Sequence, residues 1–173
     1  KKRTIKESFN ITPIIEAAKV LSSTNTGALI VFSKNSELKF YVDSGDFMDA
    51  FISKRLLISI FNKHSPLHDG AVIVYQGKVR ASRCILPVSE RDLPAQFGMR
   101  HRAAMGMSEA TDTLTLTISE ETGQMSLARN GVIDSNLSIP EIRKRINKYH
   151  QEKEVFPDET EAEESEPLEV TSK

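Results

Sequence analysis

Apolar positions along the chain fall into short runs whose period changes, and each period predicts an element. Ile14, Ile15, Ala18 and Leu21 recur at helical spacing, so a helix is expected over 12–23, with Thr12 as its N-cap and Pro13 at its first position. Asn25-Thr26-Gly27 ends it. Ala28-Leu29-Ile30-Val31-Phe32 is apolar throughout and short, as a buried strand is. Lys39 to Val42 reads as a weaker strand. Ser53 can cap a second helix that carries Leu56, Leu57, Ile60 and Phe61 on one side. His64 to Gly70 is a polar loop. Ala71 to Tyr75 is another apolar run, Gln76-Gly77 turns the chain, and Val79 to Leu86 returns as its hairpin partner. Residues 87–98 are irregular, and Arg100 to Ala110 is helical. Thr113 to Ile118 alternates strictly, as a half-buried strand does. Ser119 to Gly123 turns and Gln124 to Arg129 returns. Ser138-Ile139-Pro140-Glu141 fits a capping box that opens a last helix, with Ile142 and Ile146 one turn apart.

Strands arriving as hairpins between helices, rather than in strict β-α-β order, predict an α/β (α+β) fold with a central mixed β-sheet flanked by helices. The 173 residues and their 39% apolar content suit one domain with its own core. We place that domain at 1–150. After Lys148 apolar residues thin out and acids accumulate, so 151–173 is expected to be an acidic, disordered tail. The net charge of −1 hides this asymmetry: the tail holds nine acidic and two basic residues, leaving the body at about +6. A basic body suits a polyanionic ligand without choosing among nucleotide, nucleic acid and membrane surface. The single cysteine, Cys84, excludes an internal disulfide. No apolar run approaches the roughly 20 residues of a membrane helix, and no secretory signal is visible. The chain opens Lys1-Lys2-Arg3 without an initiator Met, from which a longer parent protein is expected.

Two polar clusters carry candidate chemistry. Asp69-Gly70 lies between a loop and a buried strand; it can be a simple turn, or a carboxylate facing a cleft where Gly70 admits a ligand close to the backbone. Such a carboxylate can bind a divalent metal or orient a hydroxyl nucleophile, with His68 as a second ligand. Arg100-His101-Arg102 opens a helix just after Gly98. Free backbone N–H groups, the helix dipole and two guanidinium groups coincide there, which is phosphate-binding chemistry. The acids of Ser119-Glu120-Glu121-Thr122-Gly123 can bind metal if that hairpin loop meets the same cleft. His68-Asp69 also resembles the His-Asp pair of metal-dependent phosphohydrolases, but those need further His and Asp residues, and only His64, His68, His101 and His150 are present. The aromatic residues form no RNA-stacking pattern. Neither GxxxxGK[ST] nor GxGxxG occurs, so any ATP site does without the common phosphate loops.

His68-Asp69-Gly70-Ala71, then Gly98-Met99-Arg100-His101-Arg102-Ala103-Ala104, then Ser119-Glu120-Glu121-Thr122-Gly123 together resemble the diadenylate cyclase domain shared by the DisA and CdaA proteins. Gly106-Met107-Ser108-Glu109 before the alternating strand is similar to that family too. The resemblance spans about residues 10–148, and the order and spacing of the three motifs make it specific. The lone preceding helix resembles the membrane-anchored CdaA type, in which membrane helices precede the domain on the cytoplasmic face of the membrane.

The resemblance implies the DAC-domain fold and a nucleotidyltransferase that joins two ATP into cyclic di-AMP. Each subunit would bind one ATP, and two subunits would meet face to face. Asp69, with Gly70 and Ala71, matches the catalytic motif; Asp69 and His68 match the positions near a Mn²⁺ or Mg²⁺ ion. Arg100, His101 and Arg102 match the phosphate-binding motif, Ser119 and Glu120 match residues that contact phosphates and metal, and Leu86 matches a position whose backbone reads adenine. Expected partners are ATP, a second copy, regulatory proteins and, through an upstream segment, a membrane; nucleic acid is not expected. Met99 departs from the family, which often has threonine there. Two other readings compete: a non-catalytic adenine-nucleotide sensor, and a basic interaction domain whose binding would weaken steeply with salt.

Overall fold

The computed structural model describes residues 9–152. Helix α1 (Thr12–Ser23) leads into strand β1 (Ala28–Ser33), a short helix α2 (Lys39–Val42), strand β2 (Asp46–Phe51) and helix α3 (Lys54–Phe61). The hairpin β3 (Ala71–Tyr75) and β4 (Lys78–Cys84) follows, then helix α4 (Met99–Ala110). Strands β5 (Leu114–Ile118), β6 (Met125–Arg129) and β7 (Val132–Asp134) precede the last helix, α5 (Ile139–Gln151). The seven strands form one sheet in the order β2-β4-β3-β1-β5-β6-β7. Only β1 and β3 run parallel, Ile30 beside Val72; the other neighbours are antiparallel. The expected mixed sheet between helices is therefore what the chain builds.

Alternate residues of the central strands feed two cores. Ile30, Phe32, Val72, Val74, Leu116 and Leu127 face α1, α3 and α5. Leu29, Val31, Ile73 and Ala128 face α4 and α2, meeting Ala104, Met107 and Val42. With both faces covered, the central strands read as apolar runs. The alternation of β5 misleads for the same reason. Thr115 and Thr117 were expected on a wet face, but they sit beside Val31 and Leu29 under α4 and are fully buried. The polar residues of an alternating strand need not meet water when a helix lies over them.

Several boundaries also differ. Lys39–Val42 is a helical turn, not a strand: Leu38 enters it at φ +55° and Lys39 pairs with Asp43 one turn on. The strand of this region is β2, an edge strand broken by a register shift between Phe47 and Ala50, which erases any clean alternation. The three-residue β7 carries too little pattern to predict. At α1 the N-cap is Ile11 and not Thr12: Thr12 is already the first helical residue, and its N–H donates to the Asn10 side chain at 3.1 Å. Ser53 and Ser138 cap α3 and α5 as expected, accepting from the N–H groups of Leu56 and Glu141. Glu141 spends its carboxylate on Arg145 instead of closing a capping box. The body runs past Lys148: Tyr149 is buried and α5 continues to Gln151. The acidic segment 153–173 lies outside the described residues.

Candidate functional site

One end of the sheet gathers nearly all the candidate chemistry. There the parallel strands β1 and β3 begin, at Ala28 and Ala71, and their antiparallel neighbours β4 and β5 end, at Cys84 and Ile118. Helix α4 starts at this end and runs away from it over the sheet. A cleft of about 650 Å³ opens between them, lined by Leu29, Asp46, His68, Asp69, Gly70, Arg83, Leu86, Met99, Arg100 and Glu120, among others. This is within the size range of small-molecule sites. A second cavity of about 510 Å³ adjoins it, sharing His68, Arg100 and Glu120 and reaching Thr24–Gly27 and Lys63-His64.

Each side chain is placed by identifiable local structure. Gly70 has φ +116°, a region closed to side chains, and a Cβ there would stand 2.8 Å from the carbonyl carbon of Arg83. Gly70 lines the cleft, and on its other flank the backbone of β4 comes close. That contact delivers Asp69 to the mouth of β3. The Asp69 carboxylate is exposed and makes no hydrogen bond or ion pair with another described residue. His68 Nδ1 lies 2.7 Å from the Ser65 carbonyl, which accepts its proton and leaves Nε2 as a free lone pair.

Arg100 lies in the first turn of α4 with its guanidinium laid across Gly27, where any Cβ would collide with it. It reaches Glu120 at 3.6 Å. Glu120 is held by a turn locked onto the end of α1: the Ser22 hydroxyl donates to the Gly123 carbonyl at 2.6 Å, and Asn25 to the Glu121 carbonyl at 3.3 Å. Ser119 Oγ closes its own turn, accepting from the N–H groups of Glu121 and Thr122, and lines neither cavity. Leu86 is buried at the cleft wall, just beyond β4, and its backbone makes no hydrogen bond with another described residue. The segment after it is stapled to α4, with Ser89 N–H donating to the Arg102 carbonyl at 3.0 Å and its hydroxyl to Glu109 at 2.7 Å.

The three residues at the start of α4 do not share one position. Only Arg100 lines the cleft. His101 is buried and stacks on Phe97, with ring centroids 4.8 Å apart, and Arg102 turns toward the Arg91 carbonyl. Burial, and secondly the charge of Arg100, hold the His101 imidazole below its ordinary value of 6.5. Its unfolded form therefore binds protons more readily, so this contribution is full above pH 6.5 and fades as pH falls below it. His150, also lowered by burial, acts in the same direction. We expect the melting temperature to fall between pH 6.5 and 5, and His101→Gln to flatten that slope in thermal melts across the same range.

His68, Asp69, Gly70, Leu86, Arg100 and Glu120 thus converge on one cleft, while Ala71 is buried within β3 as the partner of Cys84. Sequence reading missed Asp46 and Arg83, which the β2–β4 edge brings to the same wall. Neither belongs to a periodic pattern that could have marked it. Burial, and secondly the Asp46 charge, push the Cys84 thiol in this wall up to about 12, so it stays protonated and inert. Among the described residues no three His, Cys, Asp or Glu side chains come together to hold a metal ion. The His68 imidazole and the Asp69 carboxylate are nevertheless suitable donors for Mg²⁺ or Mn²⁺ if nucleotide phosphates and water complete the shell.

Residues 15–133 match the family described as DisA bacterial checkpoint controller nucleotide-binding. The cyclic di-AMP synthase CdaA of Bacillus subtilis (strain 168) is 38% identical over 137 residues, covering 79% of this chain and 50% of that protein. A solved structure of a double mutant of DacA from Staphylococcus aureus superposes with a TM-score of 0.80 at 36% identity, covering 82% of this chain and 95% of that one. The solved structure of a hypothetical membrane spanning protein from Bacillus cereus gives a TM-score of 0.70 at 39% identity, covering 73% of this chain and 63% of that one. The chain spans about half the length of the curated relatives it matches. With the fold, the three motifs and the family match in agreement over most of its length, this chain belongs to the DAC family, the DisA bacterial checkpoint controller nucleotide-binding domain.

Proposed function

We propose that the cleft binds one ATP and that two copies of the chain, cleft to cleft, condense two ATP into cyclic di-AMP. The observation that carries this reading is the convergence of Asp69, His68, Arg100 and Glu120 with the Leu86 backbone on one open cleft. In each half-reaction a 3′-hydroxyl oxygen attacks the α-phosphorus of the facing ATP. The bond from that phosphorus to the bridging oxygen breaks, pyrophosphate leaves with the electron pair, and the hydroxyl proton passes to the Asp69 carboxylate. Done twice, this closes the ring and releases two pyrophosphates.

The remaining residues have separable tasks. Arg100 faces negative charge that grows on the α-phosphate and leaving group, and it is worth most in a cleft shielded from water. The free N–H groups of the first α4 turn add to it, including that of His101, whose side chain is occupied with Phe97. Leu86 offers an unused backbone N–H and C=O to the adenine edge. A divalent ion held by His68, Asp69 and the phosphates would offset charge on the leaving pyrophosphate. A single cleft presents one hydroxyl and one α-phosphate, so one subunit alone can bind ATP without reacting.

The reading extends to the whole protein as one domain here, an acidic tail after it, and an upstream segment that attaches it to the cytoplasmic face of a membrane. The name of the Bacillus cereus neighbour supports the last point, and among the described residues no helix is long and apolar enough to cross a membrane. Incubation with ATP and Mg²⁺ or Mn²⁺, followed by chromatography, tests the activity. Cyclic di-AMP with two pyrophosphates per product is the expected result. Saturable ATP binding without product would favour a nucleotide sensor instead.

A further inference from the structure

We infer that Arg83 is a phosphate-binding residue of this cleft and that Asp46 competes with the nucleotide for it. The inference rests on the reading of the cleft as a nucleotide site, and it begins from a local irregularity in β4. Ala71 pairs with Cys84, yet two residues along, Ile73 pairs with Ala81, so β4 holds one residue more than β3 across this stretch. Strict alternation from Ala81 would turn residue 83 onto the face that α2 and α4 cover. The bulge instead sets Arg83 at φ +56° and places it in the cleft wall.

A left-handed backbone is unfavourable for a residue with a Cβ. Here the conformation is imposed by its surroundings. Gly70, itself at φ +116°, is pressed against Arg83 so closely that a Cβ would sit 2.8 Å from its carbonyl carbon. The same contact places Asp69, so the aspartate and the arginine, which line the same cleft, are both set by one backbone contact. The guanidinium has a single ionic partner among the described residues, Asp46, at 3.6 Å, and the two side chains are 51% and 54% exposed. A pair so open is screened by solvent and contributes little. It cannot account for a strained arginine in the wall of a cleft. A phosphate could, because its oxygens accept two parallel N–H bonds from the planar guanidinium, which a carboxylate at 3.6 Å is not receiving.

The test is calorimetric titration with α,β-methylene-ATP, whose phosphate bridge cannot be cleaved, and in parallel with adenosine, which has no phosphate. Arg83→Ala should weaken the ATP analogue about tenfold and leave adenosine within about twofold. Arg83→Lys should fall between. Asp46→Asn should tighten the analogue about threefold, and that gain should vanish in the double variant with Arg83→Ala. Alanine tolerates φ +56° about as badly as arginine does, so melting should change little. If Arg83→Ala nevertheless fails to fold, Arg83→Lys and Asp46→Asn carry the test. Equal losses for both ligands, no loss, or a gain from Asp46→Asn that survives without Arg83 would each overturn the inference. No arm requires turnover, so a chain that makes no cyclic di-AMP can still pass or fail it.

Discussion

Replacing Asp69 by Asn is expected to cut the rate of cyclic di-AMP formation on the order of 10³-fold while leaving the melting temperature nearly unchanged. The two halves of this expectation have different sources. Asn keeps the shape of the side chain but cannot take the hydroxyl proton, and it is a poor ligand for a divalent ion, so the loss falls on turnover. Stability should hold because the Asp69 carboxylate is exposed and uses no hydrogen bond or ion pair of the described structure. Steady-state rates with a parallel thermal melt check both. An Asp69→Asn protein with full activity would remove the aspartate from the mechanism; one that unfolds would mean the residue supports the loop and not the reaction.

Gly70→Ala should do the reverse and strike the fold first. At φ +116° an alanine is strained whatever space it has, and its Cβ would meet the Arg83 backbone at 2.8–2.9 Å. Neither side yields easily, since Gly70 leads directly into β3 and Arg83 lies within β4. We expect a loss of about 3 kcal/mol, or roughly 10 °C in melting temperature for a domain of this size. Activity measured well below the new melting temperature should also fall, because relief of the clash displaces Asp69 and Arg83 together. A melt within about 2 °C of the parent would contradict the reading of Gly70 as a backbone contact.

Elements with one continuous period and a clear stop were legible: α1 and α3 carry their apolar stripe, and Ser53 marks the start of α3 through a real side-chain cap. The residues of β5 were legible as a strand, but their burial was not, because Thr115 and Thr117 look like water-facing positions until α4 is laid over them. Edge β2 was invisible, since a register shift and a positive-φ Asp49 break its alternation. At the site, the motif order points to His68, Asp69, Arg100 and Glu120, and these four line one cleft. It could not separate Arg100 from its neighbours. Helical rotation sends His101 to Phe97 and Arg102 to the far side, and three residues in a row cannot share one direction. Arg83 stayed hidden because a bulge, not a pattern, aims it.

On the proposed mechanism this cleft works only when two copies face each other. Initial rates of cyclic di-AMP formation, measured across a dilution series of the protein at saturating ATP and Mg²⁺ or Mn²⁺, test this most directly. The predicted result is that the rate per subunit rises with protein concentration and levels off once pairs predominate, with pyrophosphate released at twice the rate of product. A constant rate per subunit for a chain shown by sedimentation to be monomeric throughout, or pyrophosphate release with no cyclic di-AMP at any concentration, would contradict it.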